Sequence, residues 1–497
     1  MKKIGFATMY SYRPHVEHGT YLAREFEKEG HTISYFVCSG KLNSCYTKEL
    51  RKSDNIECIK CRIGSFESYS NNIFLTKNQN IEVTLKDDEL RDLVKSSSYT
   101  LTRIENPKDK LSKKVLELQN RLMHSAGIIY ENAKVWIGEN NLDYVFLFNG
   151  RMDHTNAIRK ACVDLGIKYC TFERTIFGSG IQINISGNCL DLTDLRKMTQ
   201  FYIDKQLLDN QTKLASKIIE DRISGVGNEW RLYNVGGRQA KWPTKKSRKI
   251  LILPSSGNEV MGHDDWSYGW ESFLEGYEKV IEKLEIEYSE CVLRAHPNWS
   301  ETIGNAKGDD IADYYKEWCQ LKGIHYIESR SDIDTKSLIK EADLVLLNGS
   351  SAVFEANYFR TPVVCIAKCF FDTANIATMI TAQEFIANYT YDDVTKVDLE
   401  SRFENCLRFL YILTYRFPQF VNKVISISTT RYTYYKPDNI NSLLNMIDNG
   451  TLDACDSTFQ GKLDDKSSTL NERINVKRKL IYQWVDFVRN LMKNGDR

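Results

Sequence analysis

Apolar residues along the chain fall into short runs separated by longer amphipathic stretches, and the alternation predicts strands and helices in turn. Lys3 to Met9 reads as a strand, followed by the polar turn Ser11-Tyr12-Arg13-Pro14-His15. Tyr21 to Glu29 then predicts a helix that stops at Gly30, and Ile33 to Cys38 predicts the next strand. Tyr144 to Phe148 is apolar throughout, as a strand covered on both faces requires. It turns at Asn149-Gly150-Arg151, continues as a helix near Asn156 to Leu165, and re-enters a strand at Lys168 to Phe172. Strand, helix and strand at this spacing form the βαβ unit of a parallel sheet. Residues 81–139 read as mainly helical and highly charged, most clearly from Asp109 to Ala133 after Pro107, and a further helical stretch runs from Leu195 to Ile223.

The segment Gly225 to Lys249, with Pro243 and the Lys245-Lys246-Ser247-Arg248-Lys249 run, reads as an exposed connection between domains. Ile250 to Leu253 restarts the pattern. A helix over Trp270 to Leu284 follows, then a strand over Cys291 to Ala295, a helix over Ala312 to Leu321 and a strand over Ile324 to Ile327. A helix over Lys336 to Glu341 and strands over Leu344 to Leu347 and Pro362 to Ala367 complete the series. The expected fold is α/β: two doubly wound, Rossmann-like domains with a cleft between them. The expected boundaries are 1–240 for an N-terminal Rossmann-like domain with a helical insertion and 245–385 for a C-terminal Rossmann-like domain. A helical region (386–450), a linker (451–470) and a basic amphipathic tail helix (471–497) follow.

A length of 497 residues exceeds one compact domain, in keeping with two. Lysine plus arginine (67) balances aspartate plus glutamate (66), so no general electrostatic footprint for nucleic acid exists. No apolar run reaches the roughly 18–20 residues a membrane-spanning helix needs. The opening Met1-Lys2-Lys3-Ile4-Gly5-Phe6 lacks the apolar stretch of a signal peptide. A cytoplasmic protein is therefore expected, with its 13 cysteines mostly reduced.

Two loops carry the strongest chemical signal, because both fall at the carboxyl ends of predicted strands, where open α/β sheets bind ligands. Arg294-Ala295-His296-Pro297 closes one strand; Asn348-Gly349-Ser350-Ser351 closes another and opens a helix that contains Glu355. A helix start presents unpaired N–H groups and partial positive charge, which suits a phosphate. Gly349 permits close backbone approach, Asn348, Ser350, Ser351, His296 and Arg294 add donors, and Glu355 is placed to accept from a ribose. The competing reading of each loop alone is a plain N-cap or a strand-ending turn.

With Asp334-Thr335, Leu338-Ile339, Ala342-Asp343, Glu355-Ala356 and Pro362-Val363 these loops make a set that resembles bacterial capsule and surface-polysaccharide glycosyltransferases of the GT-B fold. Related His-Pro and Ser-Ser motifs occur in Kdo transferases and sialyltransferases, where they hold the nucleotide phosphate. In the first domain the Asn149-Gly150-Arg151 turn and the Phe172-Glu173 strand end are similar to the capsule group. The chain departs from it after Glu173, where Arg174 stands in place of a glycine. The resemblance implies sugar transfer from a nucleotide sugar to a glycan or lipid-linked glycan (capsule or O-antigen), with no cofactor required. A polyol-phosphate transferase, a nucleotide-sugar 2-epimerase and a non-catalytic scaffold share the same signal.

Inverting transfer needs a base for the acceptor hydroxyl. Strand-end candidates in the first domain are Glu17, Asp153 and Glu173, with His15 as a neutral alternative; Arg151 and Asn149 are candidates to hold the acceptor or sugar. Glu17 also reads as a cap of the next helix, Asp153 as a helix N-terminal charge and Arg151 as a solvated surface residue. Asp332-Ile333-Asp334 has metal-binding spacing but stands just before a helix, so capping is the better reading and no metal site is expected there. Cys38, Cys45, Cys58 and Cys61 would together make a structural tetrahedral zinc site; ordinary buried thiols are the competing and favoured reading. In residues 471–497, Ile474, Ile481, Trp484, Val488 and Leu491 share a face opposite lysines and arginines. Such a helix suits an anionic membrane surface, placing the enzyme peripherally on the inner face of the cytoplasmic membrane, or packs on protein.

Overall fold

The computed structural model describes residues 1–51, 55–66, 72–77, 81–185, 187–226, 237–239, 241–303 and 306–452. The expected linker and tail helix lie almost wholly outside the described residues, as does part of the 225–249 connection. The chain divides into two compact units.

The first unit comprises Met1–Leu101, Lys113–Asp194 and the chain from Thr414 onward. Its strands are β1 (Lys3–Thr8), β2 (Thr32–Val37), β3 (Ile73–Leu75), β4 (Tyr144–Phe148), β5 (Lys168–Arg174) and β6 (Ile181–Asn184). They lie in the order β3-β2-β1-β4-β5-β6, parallel except where β6 runs antiparallel to β5. Continuous apolar runs form these strands because helices cover both faces. Trp136, from the Lys113–Asn140 helix, is fully buried, stacks on Phe36 at 5.0 Å and donates from Nε1 to Ser34 Oγ at 2.9 Å. A Cβ on Gly5 would come within 2.5 Å of that indole, so the close approach of helix to sheet requires glycine there.

The second unit comprises Thr102–Ser112 and Leu195–Leu413. Its strands are β7 (Ile250–Leu253), β8 (Cys291–Arg294), β9 (His325–Ile327), β10 (Leu344–Leu347), β11 (Val363–Cys365) and β12 (Thr378–Met379). They form one parallel sheet in the order β9-β8-β7-β10-β11-β12. Ile250, Ile252, Leu293, Leu344 and Leu346 are fully buried in its core.

This division corrects the expected boundaries. The Asp209–Ile223 helix belongs to the second unit: Ala215 and Ile219 are buried, and Lys336 Nζ donates to Ile223 O at 2.8 Å. The polar, lysine-rich stretch after it marked a change of composition rather than a change of domain. Residues from Thr414 return to the first unit through the hairpin Val424–Ser428 and Arg431–Tyr434, where Tyr434 Oη meets His18 Nδ1 at 2.9 Å. The helical run expected over 81–139 is interrupted, because Pro107 lacks an N–H and Asn106 caps Lys108 N at 3.1 Å. That interruption is the piece of chain that joins the second unit. Among the described residues no helix is long and apolar enough to cross a membrane.

Candidate functional site

In the second unit the chain runs from β7 outward through β8 and β9 and then crosses back to β10 on the other side of β7, so the strand order reverses between β7 and β10, the topological switch where such sheets bind ligands. The loops after these three strands are stitched together. Asn348 Oδ1 accepts from Ser255 N at 2.6 Å and Asn348 Nδ2 donates to Ser255 O at 3.1 Å. Ser256 Oγ lies 3.3 Å from Asn298 Oδ1 and accepts from Trp299 Nε1 at 2.8 Å. His296 Nδ1 is 2.6 Å from the same Asn298 Oδ1, which fixes the orientation of the ring. Burial, aided by the nearby Arg103 and Arg294 charges, pushes His296 down to about 4, so the imidazole is neutral at ordinary pH.

Gly349 sits at φ +101°, and a Cβ there would meet Cys369 Cβ at 3.1 Å. The helix after this loop starts later than the sequence implies, at Val353, and runs only to Tyr358. Ser350 Oγ accepts from Ala352 N at 3.3 Å, and Ser351 Oγ accepts from Arg222 Nη2 at 3.0 Å. Pro297 begins a single 3-10 turn to Ser300.

Three expected ligand donors or acceptors are engaged by the protein itself. Arg294 is buried with its guanidinium against backbone carbonyls: Nη1 donates to Glu328 O and to Ala295 O at 3.2 Å, and Nη2 donates to Ser331 O at 3.1 Å. It holds the loop after β9 instead of reaching outward. Asn348 clamps Ser255, as above. Glu355 Oε1 pairs with Arg222 Nε at 2.9 Å, while Glu355 Oε2 is buried without a partner.

Sequence reading missed the contribution of Thr102–Ser112. Arg103 donates to Asn298 O at 3.0 Å and to Glu301 O at 2.5 Å, bracing the loop that carries His296. Glu105 Oε1 accepts from Gly257 N at 2.8 Å and from Asn258 Nδ2 at 3.2 Å, bracing the loop after β7. Burial nevertheless pushes the Glu105 carboxyl up to about 8. A carboxyl raised in the folded state adds stability below its unfolded pKa of about 4.3 and loses it as pH rises through the folded value. Raising the pH from 6.5 to 8 is therefore expected to cost the second unit about 2 kcal/mol. Urea titrations of Glu105→Gln should show a flatter slope over that interval; an identical slope refutes the assignment.

In the first unit the loops after β1 and β4 and the end of β5 place His15, Asn149 and Glu173 together. His15, the first residue of the His15–Lys28 helix, puts Nε2 3.1 Å from Glu173 Oε1 and stacks on Phe148 at 4.0 Å. Asn149 Nδ2 donates to Glu173 Oε2 at 3.0 Å, and Arg174 N donates to Oε1 at 3.1 Å. Asn149 and Gly150, at φ +66° and +73°, turn the chain so that this amide faces the carboxylate. Burial, with the Arg174 charge adding to it, lowers His15 to about 3, and burial raises Glu173. Burial thus disfavours an imidazolium, and a neutral ring faces the carboxyl group. The carboxylate assigns the ring hydrogen to Nε2, leaving the Nδ1 lone pair, which is buried without a partner.

The other candidates are placed elsewhere. Asp153 is fully buried and accepts from Tyr10 Oη at 2.6 Å, Ser97 Oγ at 3.1 Å and Tyr46 N at 3.1 Å, so no substrate hydroxyl can reach it. Arg151 is buried and donates to Ser96 Oγ at 2.8 Å and Thr100 Oγ1 at 3.1 Å. Glu17 is buried on the first turn of its helix, 3.3 Å from Arg13 Nε.

Cys38, Cys45, Cys58 and Cys61 line one pocket with Met9, Tyr10 and His154, near the ends of β1 and β2. Burial pushes Cys61 up to about 12 and raises Cys38 and Cys45. Among the described residues no three histidine, cysteine or acidic side chains gather closely enough to hold a metal. Asp334 caps the Thr335–Glu341 helix through Lys336 N, and Asp332 lies 3.4 Å from Arg238.

No protein-family model matches the chain, and no curated protein does. Among solved structures it is similar to a KpsC beta Kdo 2,4 transferase of Thermosulfurimonas dismutans, at 12% identity over 62% of this chain and 87% of that one, with a TM-score of 0.38. It is also similar to Acinetobacter baumannii MurG, at 9% identity over 90% and 100% of the two chains, TM-score 0.28. For S. aureus MnaA, solved with UDP, the values are 14% identity, 83% and 92% coverage and a TM-score of 0.27.

Proposed function

We propose that this chain is a glycosyltransferase that moves a sugar from a nucleotide sugar to a bacterial surface-polysaccharide acceptor, capsule or O-antigen. The observation that carries the reading is the second unit's switch point. There the His296-Pro297 loop and the Gly349-Ser350-Ser351 loop flank β7 and are tied to its loop by Asn298 and Asn348. Neutral donors on two sides of one strand end suit a phosphate leaving group, whose charge grows as the sugar departs. Transfer also needs an acceptor for the incoming hydroxyl proton, and the first unit carries one in His15 Nδ1, backed by Glu173. A lipid-linked acceptor fits a basic amphipathic segment at 471–497 that would rest on an anionic membrane surface.

Thermal melting with CMP, UDP, GDP and CDP tests the donor half. One of them, at about a hundred times its dissociation constant, is expected to stabilise the fold by about 2.7 kcal/mol, a midpoint rise of roughly 5–10 °C. The matching nucleotide sugars then separate the chemistries. A transferase consumes donor only with acceptor, an epimerase converts it alone, a polyol-phosphate transferase consumes a polyol-linked nucleotide, and a scaffold changes nothing. No rise with any of the four removes the proposal.

A further inference from the structure

The arginines nearest the two loops, Arg294 and Arg222, are engaged by carbonyls, by Ser351 and by Glu355. A phosphate at the switch point therefore needs its positive charge from elsewhere, and the loop after β11 carries one. Residues 361–371 are buried with one exception, Lys368, which is exposed between Ala367 and Cys369.

Main-chain ties fix where this lysine stands. Ile366 N donates to Leu347 O at 2.8 Å, and Lys368 N donates to Ser267 O at 3.0 Å. Cys369, the next residue, packs on Gly349, where an added Cβ would meet Cys369 Cβ at 3.1 Å. Lys368 is thereby held at the carboxyl end of the sheet, with the Gly349-Ser350-Ser351 loop on one side and the segment that follows β7 on the other.

Its charge is uncompensated. Among the described residues no acceptor holds Lys368 Nζ. The acids closest along these two segments, Asp372 and Asp265, are taken by another cation. Arg196 donates from Nε to Asp372 Oδ1 at 3.1 Å and from Nη2 to Asp372 Oδ2 at 2.7 Å, and its Nη1 pairs with Asp265. An unpaired ammonium on a flexible four-carbon stem is a point-charge donor for phosphate.

We infer that Lys368 is a phosphate-binding residue of the second unit, its ammonium group meeting from the β11 side the phosphate that lies at the Gly349-Ser350-Ser351 loop. This rests on the reading that the second unit binds a nucleotide. No motif marks the residue; its place follows from β11 pairing with β10 and from the burial of everything around it.

The test is calorimetry on the full chain, with CMP, UDP, GDP and CDP each compared with its own nucleoside. Lys368→Gln is expected to weaken whichever nucleotide binds by about 10-fold, the loss of one charge-assisted contact, and to leave the nucleoside unchanged. The fall of nucleotide affinity with added salt should be shallower in the same variant. Lys368→Arg keeps the charge and should stay within about 3-fold of wild type. The side chain is exposed and holds no protein group, so both variants should melt with the wild-type midpoint. A nucleotide affinity and salt dependence equal to wild type in Lys368→Gln overturn the inference and leave the donor site standing. An equal loss on nucleotide and nucleoside, or one that Lys368→Arg does not restore, also overturns it. Failure of wild type to bind any of the four nucleotides overturns both readings.

Discussion

Glu173→Gln is expected to slow sugar transfer by about 10²- to 10⁴-fold while the nucleotide-induced melting shift stays as in wild type. Glu173 stands directly behind His15, with Oε1 3.1 Å from Nε2, and Asn149 holds its other oxygen. The carboxylate keeps the ring hydrogen on Nε2 and offsets the positive charge that grows on the ring when Nδ1 takes a proton. Glutamine keeps the size and loses the charge, so the ring can be held while its basicity in the transition state falls. His15→Asn should lose as much, and the two losses should not add, because both remove one proton acceptor. The pH profile gives an independent check. Burial lowers His15 to about 3, so its neutral, active form persists as pH falls well below 6.5. The acid limb of kcat is therefore expected to follow protonation of the Glu173 carboxylate, which burial raises above the ordinary glutamate value, and not of the imidazole. Transfer within tenfold of wild type in Glu173→Gln would place the base elsewhere.

The strands that were plainest in sequence were those with every position apolar: Tyr144–Phe148, Ile250–Leu253 and Leu344–Leu347 occupy the residues their patterns indicated. Burial on both faces leaves such a strand no polar position, which is why the signal is sharp. Helix starts were less legible. The first helix begins at His15, before the expected Tyr21, and Val16, Gly19 and Thr20 of its opening turns are buried. Among the candidate residues, sequence showed charge but not its partners. Asp153 and Arg151 looked available until the Asp87–Thr102 helix supplied Ser96, Ser97 and Thr100 to bind them. The pairing of His15 with Glu173 depends on β1 lying beside β4 and β4 beside β5, a long-range fact with no local trace. Glu105 and Arg103 were hidden for a related reason. They lie in a stretch interrupting a helical run, and nothing nearby signals that the stretch completes the other unit.

His296→Ala and Gly349→Val, on loops from different strands, are each expected to remove most of the nucleotide-dependent rise in melting temperature. They act by different routes. His296 contributes a neutral ring whose orientation is set by Asn298, so alanine removes a ligand contact and only partly disturbs the Asn298–Ser256–Trp299 chain. Its ligand-free midpoint should stay close to wild type. Gly349 contributes a backbone shape: φ +101° is closed to a branched side chain, and the new Cβ would crowd Cys369 at 3.1 Å. Valine must push the loop out of that shape at a cost of about 1–3 kcal/mol, so the ligand-free midpoint falls as well. Arg360→Ala, on a surface pair with Glu400, serves as the control that should retain the full shift. Two variants with unlike effects on the free protein and the same effect on binding would locate the phosphate between the two loops. If both variants keep the wild-type rise, the nucleotide binds away from β7.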